Sequence, residues 1–84
     1  MNSKVGSPSS EQPLHEVVAA NVRRARENKG MSVAALAAIT RHTLKFVQDL
    51  EKGEISDFEV IDLDAFATAL GVDATDLVRR HPPA

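Results

Sequence analysis

The sequence contains no cysteine, no tryptophan and no tyrosine. Without cysteine there is no disulfide framework, no thiolate zinc site and no thiol nucleophile. No run approaches the ~18 apolar residues that a membrane-spanning helix needs. The opening residues, Met1 to Gly6, carry no apolar stretch, so no secretory signal is expected and the expected location is cytoplasmic, with no membrane partner. No segment alternates apolar and polar residues long enough to read as a strand, and no internal repeat is present. His15, His42 and His81 lie far apart and lack metal-ligand spacing. The carboxylates have neither a paired base nor a glycine-rich phosphate loop beside them. The expectation is therefore no enzyme, no metal and no cofactor.

What remains is a chain of 84 residues, 43% of them hydrophobic. That length fits one domain with a small core, burying about 60–65% of the surface exposed by the unfolded chain. The net charge of -2 conceals a division. Residues 1–53 hold eight bases and five acids, whereas residues 54–78 hold seven acids and no base. Arg79 and Arg80 restore two positive charges. The division points either to a basic working face opposite an acidic partner face, or to an unevenly charged solvated surface.

Residues 1–13 are rich in Ser, Pro and Gly and bury too little apolar surface to offset ordering, so a disordered tail is expected. A domain is expected over 14–80, with residues 81–84 as a flexible end. Leu14, Val18, Val22 and Ala25 recur on one helical face, predicting a helix from Leu14 to Lys29 with Gly30 as its left-handed terminator. Ser32 is placed to cap a second, alanine-rich helix that ends near Thr40. Thr43 is placed to cap a third, from Leu44 to Glu51, closed by Gly53. Ser56-Asp57-Phe58-Glu59 has the form of a capping box and predicts a fourth helix burying Val60, Leu63, Phe66, Ala67 and Leu70, ending at Gly71. Asp73 is a candidate cap for a short fifth helix that buries Leu77. The class read from this pattern is all-α.

Lys29-Gly30, Ser32, Leu36-Ala37, Thr43, Val47, Leu50-Glu51 and Gly53 follow one another in a spacing that resembles the Cro/phage-repressor-type (Xre-like) helix-turn-helix regulators. The likeness continues at Ala69-Leu70-Gly71-Val72 and covers about residues 16–78. It implies a compact five-helix bundle, the lambda-repressor-like DNA-binding domain. In such a fold a small residue at Ala37 lets the second helix of the pair cross steeply, and Thr43 satisfies free N–H groups at the start of the recognition helix.

The resemblance also implies a site. Thr43, Leu44, Lys45, Gln48 and Asp49 would face the major groove. Lys45 would donate to guanine or to phosphate, Gln48 would pair with adenine, Leu44 would touch a thymine methyl and Asp49 would accept from cytosine. Arg41, Lys52, Arg23 and Arg24 are candidate phosphate contacts. A solvated helix face is the alternative for Lys45, Gln48 and Lys52, and an ordinary charged outer face for Arg23 and Arg24. Arg26 and Glu51 stand where relatives hold a semi-buried ion pair. This sequence departs from the pattern at Val33 (often Gln), Arg41 (usually Gly) and His42 (usually apolar). Phe46 is larger than usual, and the loop before the fourth helix is longer. His42 and Phe46 read as packing residues.

The functional expectation is a small sequence-specific regulator, a repressor binding a palindromic operator on double-stranded DNA as a homodimer, and nucleoid-associated when bound. Val60, Ile61, Leu63 and residues 72–78 are its candidate dimer face. The alternative is the same fold used as a protein-interaction module, an anti-activator or a polymerase- or toxin-binding regulator. The acidic 54–78 face and exposed Leu44 and Phe46 would serve it. A third possibility combines DNA binding with a protein partner on the acidic face.

Overall fold

The computed structural model describes residues 12–57 and 61–80, and these contain five α-helices and no strand. The expectations for residues 1–11, for Phe58, Glu59 and Val60, and for residues 81–84 lie outside them. In chain order the helices are α1 (Leu14–Asn28), α2 (Val33–Thr40), α3 (Leu44–Glu51), α4 (Leu63–Leu70) and α5 (Ala74–Val78).

The helix α1 is the spine of the bundle and touches α3, α4 and α5. Because it has neighbours on several sides, it buries a wider stripe than its four-residue spacing predicts: Val17, Val18, Ala19, Asn21 and Val22. Leu14, expected on the core face, is 39% exposed because it stands in the first turn, before the buried stripe begins. Gln12 and Pro13, expected in a disordered tail, are tied to the domain. The Pro13 carbonyl accepts from the Glu16 and Val17 amides, and the Gln12 carbonyl accepts from Arg80 Nη1 at 2.6 Å.

One cluster forms the core. Val18 and Val22 of α1 meet Leu36 and Ala37 of α2, Val47 and Leu50 of α3, Phe66, Ala67 and Leu70 of α4, and Leu77 of α5. Burying a side chain of this size contributes about 1.5–3 kcal/mol, so α2 and α3, only eight residues each, depend on these contacts more than on intrinsic propensity.

The predicted start of the fourth helix needs correction. Residues 54–57 are not helical, and α4 begins at Leu63 with Asp62 as its cap, accepting from the Ala65 amide at 3.1 Å. Ile61 is buried just before that cap and Ile55 packs against the core. Anchoring both isoleucines draws the connection across the bundle and leaves the helix to start after the second, where Asp62 competes successfully with Ser56.

Four helices end in the same way. After α1, α2, α3 and α4 the chain turns through a left-handed residue, and the next amide reaches back to a carbonyl in the last turn. Three of these positions are glycine; the fourth, between α2 and α3, is Arg41 at φ 63° and ψ 37°. The Arg41 amide donates to Ala38 at 3.2 Å and the His42 amide to Ala37 at 2.9 Å. Two helix-tightening bonds therefore hold a side-chain-bearing residue in a conformation that disfavours it.

Candidate nucleic-acid interface

The helices α2 and α3 pack directly on one another across the Arg41 turn. Each is opened by a side-chain cap: Ser32 Oγ accepts from the Ala35 amide at 3.0 Å, and Thr43 Oγ1 accepts from the Phe46 amide at 3.0 Å. Thr40 closes the inner side by donating its hydroxyl to the Leu36 carbonyl at 2.7 Å. The turn is packed by aromatic rings. His42 stacks on Phe46 with centroids 4.3 Å apart and on Phe66 at 5.4 Å. His42 and Phe46 are thus half-buried parts of the scaffold.

Inside α3, Val47 and Leu50 are completely buried, and Glu51 is 7% exposed. The opposite side carries Thr43, Leu44, Lys45 and Gln48, all exposed, with Asp49 half-buried at its edge. Lys45 Nζ donates to Asp49 Oδ2 at 2.9 Å, one turn along. That hydrogen bond raises the Lys45 pKa, so the group is a held cation. The same side therefore offers one apolar contact, one neutral amide and a linked donor and acceptor. Ile39, 57% exposed at the end of α2, adds an apolar neighbour in sequence to the turn that sequence reasoning did not single out.

Arg26 and Glu51 fix this helix to α1. Arg26 Nε donates to Glu51 Oε2 at 2.6 Å and Nη2 to Oε1 at 2.9 Å, a two-pronged pair, while Nη1 donates to the Met31 carbonyl at 2.8 Å. Their side chains are 13% and 8% exposed. The hydrogen bonds to Glu51 push the Arg26 pKa above its ordinary value, against the opposing effect of burial. One residue thereby joins α1, the α1–α2 turn and the end of α3.

The other cations separate into groups. Arg41 is exposed at the α2–α3 turn, near the start of α3. Arg23 and Lys52 share a hollow of about 200 Å³ at the opposite end, with Gln12, Glu16 and Gly53. There Arg23 Nη1 donates to the Glu51 carbonyl at 2.9 Å and so caps the C-terminus of α3. Arg24 lines a different groove, between α1 and α4–α5, to which α2 and α3 contribute no residue, and it donates to Asn21 Oδ1. The structure does not bring Arg24 to the exposed side of α3, because it follows Arg23 by 100° around α1.

Sequence reasoning also missed Asn21. It is 5% exposed and donates Nδ2 to the Leu77 carbonyl at 2.9 Å and to the Arg79 carbonyl at 2.8 Å, stapling α5 to α1. Its signal was a polar residue inside the Val18–Val22–Ala25 stripe. Of the residues expected on a dimer face, Ile61 and Leu77 lie in the chain's own core, while Leu63, Val72 and Val78 pack against it half-buried.

Two short helices joined by a tight turn, the second capped at its start and exposed along one side, define a helix-turn-helix DNA-binding domain. The chain belongs to the helix-turn-helix domain family, whose match spans residues 22–77, and within it to the Cro/phage-repressor type. It is similar to a hypothetical transcription factor, NHTF from Neisseria, at 29% identity and a TM-score of 0.75, covering 95% of this chain and 87% of that one. It is also similar to the clp gene regulator ClgR from Corynebacterium glutamicum, at 28% identity and a TM-score of 0.72, covering 80% and 86% of the two chains. A third likeness is to hydroxypropylphosphonic acid epoxidase from S. wedmorenis, at 26% identity and a TM-score of 0.73; it covers 81% of this chain but 36% of the enzyme. No curated protein sequence matches the chain. The family and the regulator relatives make this a DNA-binding transcription regulator. No described helix is long and apolar enough to cross a membrane.

Proposed function

We propose that the protein is a sequence-specific repressor that binds a palindromic operator as a homodimer and reads bases with the exposed side of α3. The observation that carries this reading is the division of α3. Val47, Leu50 and Glu51 are held by the protein, while Thr43, Leu44, Lys45 and Gln48 are presented together to the outside. Lys45 and Asp49 act as a unit: a donor and an acceptor linked at 2.9 Å suit a G·C pair, with the ammonium on guanine O6/N7 and the carboxylate on the cytosine amino group. Gln48 suits adenine and Leu44 a thymine methyl. Arg41, Lys52 and Arg23 serve as phosphate contacts at the two ends of α3, about 12 Å apart, and Arg24, which lines the groove between α1 and α4–α5, is left out of the set. One such helix reads too few base pairs for tight binding, so two copies on an inverted repeat are required.

Selection from a random-sequence duplex pool tests the proposal. The wild-type chain enriches an inverted repeat with half-site centres about 34 Å apart or a multiple of this. Lys45→Ala and Gln48→Ala each relax one defined position. Enrichment unchanged by both substitutions contradicts the assignment of α3.

A second reading is supported by the exposure of Ile39 (57%) and Leu44 (46%), two large apolar side chains flanking the turn. An apolar partner surface on another protein would cover both. It predicts that Ile39→Lys abolishes capture of a protein partner and leaves DNA retention intact.

A further inference from the structure

The exposed carboxylates Glu54 and Asp62 of the α3–α4 connection enclose no cavity among the described residues, and the Arg23–Lys52 hollow belongs to the interface already described. The groove between α1 and α4–α5 carries more. Its volume is about 340 Å³, within the range of small-molecule sites. The apolar lining comes from Ala25, Leu70, Val72 and Leu77. Around it stand Arg24, Lys29, Arg79 and a single carboxylate, Asp76.

The charges do not balance. Asp76 is already committed: Oδ1 accepts from Arg79 Nη1 at 2.7 Å and Oδ2 from the Asp73 amide at 3.1 Å. Arg24 donates only to the neutral Asn21 amide oxygen, and among the described residues neither it nor Lys29 has a carboxylate partner. Lys29 reaches across to α4, where a β-carbon on Gly71 would stand 3.7 Å from its Nζ. Its position after the ends of α1 and α4 favours an ammonium but supplies no counter-ion. The polar base of the groove is fixed, because both Asn21 Nδ2 hydrogens are used on the Leu77 and Arg79 carbonyls. An apolar hollow with two uncompensated cations at its edge is complementary to one kind of molecule.

We propose that this groove binds a small amphipathic carboxylate, its hydrocarbon part against Leu70, Val72 and Leu77 and its carboxylate between Arg24 and Lys29. Aliphatic surface removed from water supplies the affinity, and the two cations select the charged head. Nothing in this assignment depends on the reading of α3.

Amide spectra of the full chain, titrated with sodium octanoate below its micelle-forming concentration, test the assignment. Saturable shifts are expected at Ala25, Lys29, Leu70, Val72 and Leu77. Acetate, which lacks the tail, leaves these amides unmoved, and octan-1-ol, which lacks the charge, binds at least tenfold more weakly. The Arg24→Gln/Lys29→Gln variant keeps the wild-type spectrum elsewhere, since both side chains are exposed, and loses at least tenfold in octanoate affinity. The proposal is overturned if octanoate gives no saturable shift at these amides or scatters its shifts over the surface. Equal binding by octan-1-ol, or by the double variant, overturns it too.

Discussion

Removing either partner of the Arg26–Glu51 pair leaves the other as an enclosed charge without compensation. Arg26→Met is therefore expected to cost about 3 kcal/mol, read as a shifted midpoint in urea. The sign of the pH dependence follows from the raised Arg26 pKa. A cation whose folded pKa is raised contributes stability that is complete below its unfolded value and disappears only as pH climbs past the folded one. For arginine that window lies above the alkaline range in which lysines titrate. The deficit of Arg26→Met relative to wild type should thus be the same at pH 7 and pH 10. A deficit that vanishes by pH 10 would mean that the pair is not held as the structure has it.

Arg41 shows the opposite situation, a residue whose backbone opposes its place. Arg41→Gly relieves the left-handed conformation and is expected to raise stability by about 1 kcal/mol, or roughly 5 °C in Tm for a domain of this size. The same substitution removes a proposed phosphate contact. It should weaken DNA binding evenly across sequences and lower the salt slope by about 1. A variant that melts lower than wild type would show that the Arg41 side chain has a structural partner.

At the scale of elements, caps and terminators were readable because they are local. Ser32 and Thr43 each sit next to the helix they open, and one residue type meets one set of free amides. The start of α4 was misread for the complementary reason. Ser56 and Asp62 are both good caps, and the choice between them was made by where Ile55 and Ile61 reach the core, which no neighbouring residue records. Asn21 escaped notice likewise, since its partners lie 56 and 58 residues away in the chain. Its role makes a prediction for α5. Asn21→Ala leaves the Leu77 and Arg79 carbonyls without their donor and should cost about 2 kcal/mol, with faster hydrogen exchange in α5 than in α2. Uniform exchange across all five helices would deny Asn21 its stapling role.

For the molecule as a whole, the charge division in the sequence corresponds to a division along the fold. Among the described residues, Arg23, Arg24 and Arg26 lie on α1 with Lys29 just after it, Arg41 at the α2–α3 turn, and Lys45 on α3 with Lys52 just after it, whereas Glu54, Asp57 and Asp62 lie on the α3–α4 connection, Asp64 on α4, Asp73 just before α5 and Asp76 on it. The sequence could not show that the basic group is itself divided. Neighbours such as Arg23 and Arg24 point to different sides of α1, one closing α3 and the other lining a separate groove. The proposed site was legible wherever one helix supplies it and illegible wherever cations from α1 had to be placed on it. Ile61 and Leu77, expected on a dimer face, met a similar limit, because a hydrophobic residue looks the same whether it fills the chain's own core or a partner's.

The central claim is that the outer side of α3 meets the duplex. An amide-shift titration of the labelled chain with its selected duplex at low salt tests this most directly. The account predicts shifts concentrated at Thr43, Leu44, Lys45 and Gln48, with Arg41 and Lys52 at the margins, fading steeply as salt is raised. Shifts confined to residues 61–78, with α3 unmoved, would contradict it.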